Sequence, residues 1–451
     1  MSTAPSATTW GPQRPAPAER RFVSPAVEAA IDRVAATMHD DELARLFANC
    51  LPNTLDTTVD FSDGALPDTF VITGDIPAMW LRDSTAQVWP YLRFARADAR
   101  LQRLLAGVVR RQVRCVLIDP YANAFNKGRE GGPWEADRTA MRPELHERKW
   151  ELDSLCAVLR LAHGYWRATG DTAPFDTDWA RAMARVLHTL RTEQGPADAS
   201  PYRFQRAALS PTDTLPFDGQ GWPARPNGLI RSAFRPSDDA CLFPYLIPAN
   251  FFAVVALRQL HELAAALGQG ALAAEARRIA DQVAAALPRE GVLPYETDGF
   301  GNRLFIDDAN VPSLLALPYL GALPADDPRY RATRAFVLGD DNPFCFAGRA
   351  ARGIGGPHCG LDMIWPMAIV MQALTSDDDA EIAHCLATLK ATHAGTGFMH
   401  ESFHKDDASR FTRPWFAWAN TLFGELILTL ADQRAHLLRE RLPERPAAAP
   451  A

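Results

Sequence analysis

No run of apolar residues in this 451-residue chain approaches the roughly 20 that a membrane-spanning helix requires, so no membrane span is expected. Basic charge is also short: 47 Lys and Arg against 54 Asp and Glu leave a formal net charge of -7. Nucleic-acid partners call for a basic excess or stripe, and neither is present. The seven cysteines (Cys50, Cys115, Cys156, Cys241, Cys345, Cys359 and Cys385) are odd in number and scattered, with no CxxC pair. That pattern suggests neither a disulfide framework nor a thiolate zinc site, and buried free thiols are the expectation. A P-loop, a GxGxxG after a strand and a GxSxG elbow are all missing, leaving phosphoryl transfer, dinucleotide redox chemistry and serine hydrolysis without a supporting motif. The first twenty residues are Pro-rich and lack the apolar stretch of a signal peptide, and Arg20-Arg21 is followed by an amphipathic segment. A cytoplasmic enzyme is expected, with disordered segments at 1–22 and 441–451 flanking one domain over 23–440.

What the chain does have is apolar mass, 47% of residues, enough for a sizeable core. Apolar positions recur at helical spacing from Ala26 to about Phe47 (Val27, Ile31, Val34, Met38, Leu43, Leu46). Comparable patterns run over 97–118, 150–168, 177–193, 249–266, 270–287, 310–320, 329–338, 362–375, 379–391 and 415–437. Strand-like runs are short, near 68–73 and 291–295. Between the helices lie long segments rich in Gly, Pro, Asp, Trp and His, at 52–91, 119–149, 199–248, 293–310, 340–361 and 393–414. Loops of that length in a compact protein carry function or are disordered, and their aromatic content argues for function. A mostly α protein is expected.

Several of these loops carry chemistry. TGDIPAMWLRDS (73–84) gathers Asp75, Trp80, Arg82 and Asp83. An aromatic face with carboxylate and guanidinium groups suits a sugar ring; equally, Arg82 paired with an aspartate buttresses a turn. FRPSDDAC (234–241) places Asp238 and Asp239 together. One reading is helix capping by Ser237 or Asp238, the other a general acid raised towards neutral pKa by burial or a like charge. ERKWELDSLC (147–156) groups Arg148, Trp150, Glu151 and Asp153 at a helix start. GIGGPH (353–358) presents His358 on a loop before a helix. HESFH (400–404) matches the HExxH zinc pattern letter for letter, but its GTGF and KDDAS flanks argue against the helix that pattern needs.

Together TGDIPAMWLRDS, KWELDSLC, FRPSDDAC…YLIPAN, DDANVPSLLALPYLG, GIGGPH and GFMHESFHKDD…FTRPWFAWAN resemble glycoside hydrolase family 125, in order, from about residue 25 to 430. The resemblance implies an (α/α)6 barrel with long active-site loops at one end. It further implies a metal-independent, cofactor-free exo-α-1,6-mannosidase acting with inversion on mannose-containing oligosaccharides from N-glycan or mannan, and no obligate protein partner. Glu401 then matches the general base, and Asp238 or Asp239 the general acid, with Asp238 favoured. Trp80, Arg82, Asp83, Arg235, Asp308, His358, His400 and Trp418 become sugar-site candidates. One departure is Ala233, where the family often has glycine before the Phe-Arg-Pro turn. The alternatives are another (α/α)6 carbohydrate-active enzyme, with a different linkage or an epimerase or lyase reaction, and an inactive glycan-binding protein; acids rather than amides at the candidate positions speak against the last.

Overall fold

The computed structural model describes residues 13–443, so the parts of the expected leader and tail at 1–12 and 444–451 lie outside it. Residues 13–22, expected within the disordered leader, are instead tied down. Arg14 pairs with Glu28 at 2.6 Å and Asp56 at 2.7 Å, the amides of Arg21 and Phe22 donate to the carbonyls of Asp56 and Leu55, and Phe22 is buried. At the other end Leu442 is buried; its amide donates to Asp40 and its carbonyl accepts from Lys390. Both ends are held because each supplies a large apolar side chain to the core.

The body is built from helices in alternation. Outer helices Asp41–Cys50, Ala99–Ile118, Thr177–Gln194, Gly270–Ala286, Pro328–Val337 and Asp379–Thr392 alternate with inner ones at Leu81–Val88, Leu152–Thr169, Ile247–Ala266, Pro366–Leu374 and Ala417–Gln433. The inner ring closes where Ala417–Gln433 packs on Leu81–Val88. Its remaining position, between Ile247–Ala266 and Pro366–Leu374, is filled by 311–323. That segment was expected to be helical; it is a run of turns. Pro312 and Pro318 have no N–H to donate, and the Asp307 carboxylate takes the amides of Leu314 at 2.8 Å and Leu315 at 3.0 Å in place of a helical ladder. Its apolar residues still face inward, which is why the helical periodicity showed in the sequence. The fold is the expected mostly α (α/α)6 toroid, with one inner member irregular.

Burial separates the two rings. Ile247–Ala266 and Ala417–Gln433 are buried on nearly every face, whereas Gly270–Ala286 buries a stripe of Ala273, Ala276, Ile279, Ala280 and Val283. Capping separates them too. Asp40, Asp98, Asp176, Asp327 and Asp378 cap outer helices through their carboxylates. The inner helices begin after Trp80, Glu151, Leu246, Trp365 and Phe416, none of which caps by its side chain. Their N-terminal N–H groups and partial positive charge are left to whatever lies above them.

Other local expectations change. The single pattern from Ala26 to Phe47 divides into Pro25–Ala35 and Asp41–Cys50, because Asp40 starts a second helix by accepting from Leu43. Neither Ser237 nor Asp238 caps a helix, since the next begins at Ile247. The strand expected at 291–295 is displaced to Glu296–Thr297. All seven cysteines are free, five of them buried, with Cys345 and Cys359 half-buried. Among the described residues no helix is long and apolar enough to cross a membrane.

Candidate active site

Each inner element is entered through one of the loops rich in Trp, Asp and His, often by way of a two- or three-residue strand. Met79–Trp80 leads into Leu81–Val88, Tyr245–Leu246 into Ile247–Ala266, and Met363–Ile364 to Pro366–Leu374. The candidate side chains therefore collect at one end of the ring, above the uncapped helix starts.

Arg82 is the hub of one half. It is buried, and its Nη1 donates to Glu151 at 2.5 Å and Asp153 at 3.2 Å. Its Nη2 lies 3.4 Å from Asp83 and 3.7 Å from Asp238, and its guanidinium sits 5.7 Å from the Trp418 ring centre. Asp238 has a left-handed backbone (φ 67°), unusual for a residue with a side chain. The turn is held by Arg235 and Asp239, whose amide and carbonyl bond at 2.7 Å, and by Lys149, which donates to the Asp238 carbonyl at 2.8 Å. Asn123 Nδ2 reaches Asp238 Oδ1 at 3.3 Å and Glu151 at 3.2 Å. Burial pushes Glu151 well above the usual carboxylate range, with the neighbouring Asp238 charge outweighed only in part by Arg82. Burial would raise Asp238 too, but the hydrogen bond from Glu151, with Lys149, Arg82 and His358, holds it down at about 2. Burial, partly offset by Arg82 and reinforced by Asp238, pushes Asp83 up to about 6.

Glu401 anchors the other half. HESFH is not helical: Ser402–His404 is the middle strand of a three-stranded sheet, between Met363–Ile364 and Asp407–Thr412. His400 and His404 therefore do not share a helix face, and among the described residues no group of three His, Cys, Asp or Glu side chains is placed to hold a metal. Glu401 accepts from Arg413 Nη1 at 3.2 Å and from Cys359 Sγ at 3.5 Å. Arg413 also ties Asp75 and the Thr73 carbonyl to this point.

One loop joins the halves. His358 Nδ1 lies 3.6 Å from Asp239, and the next residue, Cys359, touches Glu401. Although burial lowers the imidazole, the bond to Asp239 and the charges of Asp239, Asp238 and Glu401 win and push His358 up to about 9.

The remaining candidates take distinct places. Arg235 donates to Glu296 at 2.6 Å, and Asp308 accepts from Ser237 at 3.0 Å and Asn310 at 3.1 Å, both supporting the 235–239 turn. Trp80 is buried edge-on to His146, 5.2 Å between ring centres. His400 lies behind Glu401, stacked on Phe411 at 4.0 Å, and burial lowers it to about 4. Asn123, Lys149, Glu151, Cys359 and Arg413 were not among the sequence candidates. Lys149 and Glu151 lay within a segment singled out for its charge; the others sit in loops whose pattern carries no signal of which side chain turns inward.

The chain matches the family model for metal-independent alpha-mannosidases, GH125, over residues 40–428. It is 44% identical over 457 residues to the meiotically up-regulated gene 157 protein of Schizosaccharomyces pombe, covering 95% of this chain and 90% of that protein. A Streptococcus pneumoniae protein, described as one of a family of metal-independent alpha mannosidases and solved as a non-productive complex with alpha-1,6-mannobiose, superposes with a TM-score of 0.88. It is 44% identical, covering 92% of this chain and all of its own. A GH78 rhamnosidase of Bacillus sp. GL1 shares the fold alone, at TM-score 0.53 and 14% identity over 86% of this chain and 34% of its own.

Proposed function

Because the chain belongs to glycoside hydrolase family 125, the metal-independent α-mannosidases, we propose that it removes terminal α-1,6-linked mannose from the non-reducing ends of N-glycan or mannan fragments, with inversion of configuration. The linkage finds support in the α-1,6-mannobiose bound by the Streptococcus pneumoniae relative. The observation that carries the mechanism is the loop at His358–Cys359, which touches the aspartate pair with one residue and Glu401 with the next.

In this reading Asp238 is the general acid and Glu401 the general base. The choice of Asp238 over Asp239 rests on access. The Asp238 side chain is 25% exposed, whereas that of Asp239 is 6% exposed and faces the His358 imidazole. Asp238 gives its proton to the glycosidic oxygen as the C1–O bond breaks, its electron pair leaving with that oxygen. Glu401 takes a proton from the water that adds to C1 on the opposite face. Inversion needs the two carboxyls roughly 6.5–9.5 Å apart, leaving room for that water. Arg413 and Cys359 aim Glu401, and Arg82 and Asp83 border the space between.

The test combines product stereochemistry with substitution. Proton NMR of the first product from α-1,6-mannobiose should show β-mannose; initial release of α-mannose would sink the inverting assignment. The α-1,2- and α-1,3-linked disaccharides should be cleaved more slowly. Glu401→Gln and Asp238→Asn should each lower kcat by about 10²–10⁴-fold. Full activity in either removes that residue from its role.

A further inference from the structure

A leaving group needs one proton donor, yet a second carboxyl shares two partners, Asn123 and Arg82, with the proposed acid. Glu151 is buried, its side chain 0% exposed. Oε2 accepts from Arg82 at 2.5 Å and from Ser154 Oγ at 2.8 Å, and Oε1 accepts from Asn123 at 3.2 Å. The same Asn123 nitrogen reaches Asp238 Oδ1 at 3.3 Å and Glu147 at 2.8 Å. Around this point stand the carboxyls of Asp83, Glu147, Glu151, Asp153 and Asp238. Facing them are Arg82 and Lys149, with His358 reaching Asp238 from the loop opposite, Arg206 spent on Glu147, and His146 beside Trp80. Five acids thus face four cations, and where two carboxyls lie together a retained proton is most stable in a hydrogen bond between them.

We propose that Glu151 is a positioning residue for the acid: it and Asp238 share one proton across a direct hydrogen bond, and Glu151 thereby keeps a transferable proton beside Asp238 at neutral pH. This rests on the reading of Asp238 as the acid. As a substrate takes the place of water over Asp238, the proton passes from Glu151 to Asp238 and on to the glycosidic oxygen. The bond from Asp238 oxygen to hydrogen breaks, and the C1–O electron pair leaves with the sugar. Two adjacent carboxylates remain, and their repulsion draws the next proton from solvent. Glu401, protonated by the attacking water, gives its own proton back to solvent, so the cycle balances.

Glu151→Gln fills the same space but cannot lend a proton or repel a charge. Asp238 then faces Arg82 and Lys149 without its acidic partner. The alkaline limb of kcat/KM should move down by about one pH unit or more. Turnover of α-1,6-mannobiose should fall about 10²-fold, and that of 2,4-dinitrophenyl α-mannoside, whose leaving group needs no proton, by less than about threefold. A merely structural role predicts equal losses on both substrates and an unmoved alkaline limb, and that result overturns the proposal. The underlying reading is checked separately. Asp238→Asn must itself show the leaving-group selectivity; if it does and Glu151→Gln does not, Asp238 stands and Glu151 falls, and if Asp238→Asn lacks it, the acid assignment fails first. Should Glu151→Gln not fold, infrared difference spectra decide. A protonated-carboxyl band present at pH 7 in the intact enzyme must shift in Asp238→Asn, and an unshifted band refutes a shared proton.

Discussion

The two histidines nearest Glu401 titrate in opposite directions, and the reason is what each faces. His358 meets the carboxylates of Asp239, Asp238 and Glu401, which hold its proton until about pH 9. Its folded pKa lies above the ordinary value near 6.5, so the stability it contributes is complete below about pH 6.5 and is lost as pH rises to about 9. Proton or nitrogen NMR of His358 should show a midpoint near 9, falling towards 6.5 in Asp239→Asn. His400 is buried between Phe411 and the Pro414 carbonyl and is lowered to about 4. It resists protonation in the fold while the unfolded chain accepts a proton, so its contribution is present above about pH 6.5 and is lost as pH falls towards 4. Urea unfolding at pH 7 and pH 4.5 should show a smaller acid loss in His400→Phe than in the native protein.

At the scale of elements, the contacts between rings set how far each helix can be changed. Gly424 of Ala417–Gln433 faces Leu51 so closely that a Cβ there would stand 2.8 Å from the Leu51 Cα. Because the obstacle is backbone, relief requires moving the inner helix, which also carries Trp418. Gly424→Val should cost about 1–3 kcal/mol or more in chemical denaturation, the range for forcing extra atoms into a packed core. The irregular inner member, 311–323, shows the limit of periodicity. Its inward-facing Leu314, Leu315 and Leu317 repeat as a helix would, but prolines and the Asp307 carboxylate decide the backbone. Periodicity reports which side chains are buried, and burial alone does not choose between a helix and a chain of turns.

For the molecule as a whole, the site is assembled from segments that enter successive inner elements, so no single loop constitutes it. The proposed carboxylate pair makes the expected response to metal removal plain. Dialysis against EDTA should leave full activity on α-1,6-mannobiose, in keeping with a family of metal-independent α-mannosidases; loss restored by a divalent ion would contradict the two-carboxylate mechanism. How much was legible beforehand follows a physical line. Most helix positions were readable, because an outer helix advertises its buried stripe and an inner one its apolar run; Leu81–Val88, inside the segment 52–91 read as lying between helices, was not, because Arg82, Asp83, Ser84, Thr85 and Gln87 interrupt it. The segments at 73–84, 234–241 and 400–404 were readable as candidate sites, because Trp, Asp, Arg and His crowd together there without low-complexity character.

Pairings between loops were not readable. Local residue order dictated that HESFH would not be a helix, but it left Ser237 or Asp238 as a helix cap, and only the fold put Asp238 and Asp239 on a turn ahead of the helix at Ile247. That Glu151 meets Asp238, that Arg413 rather than either flanking histidine grips Glu401, and that His358 and Cys359 touch the two sides in succession were decided only when the ring closed. Propensity and periodicity act over a few residues, whereas a proton shared between distant acids depends on distances that exist only in the closed toroid.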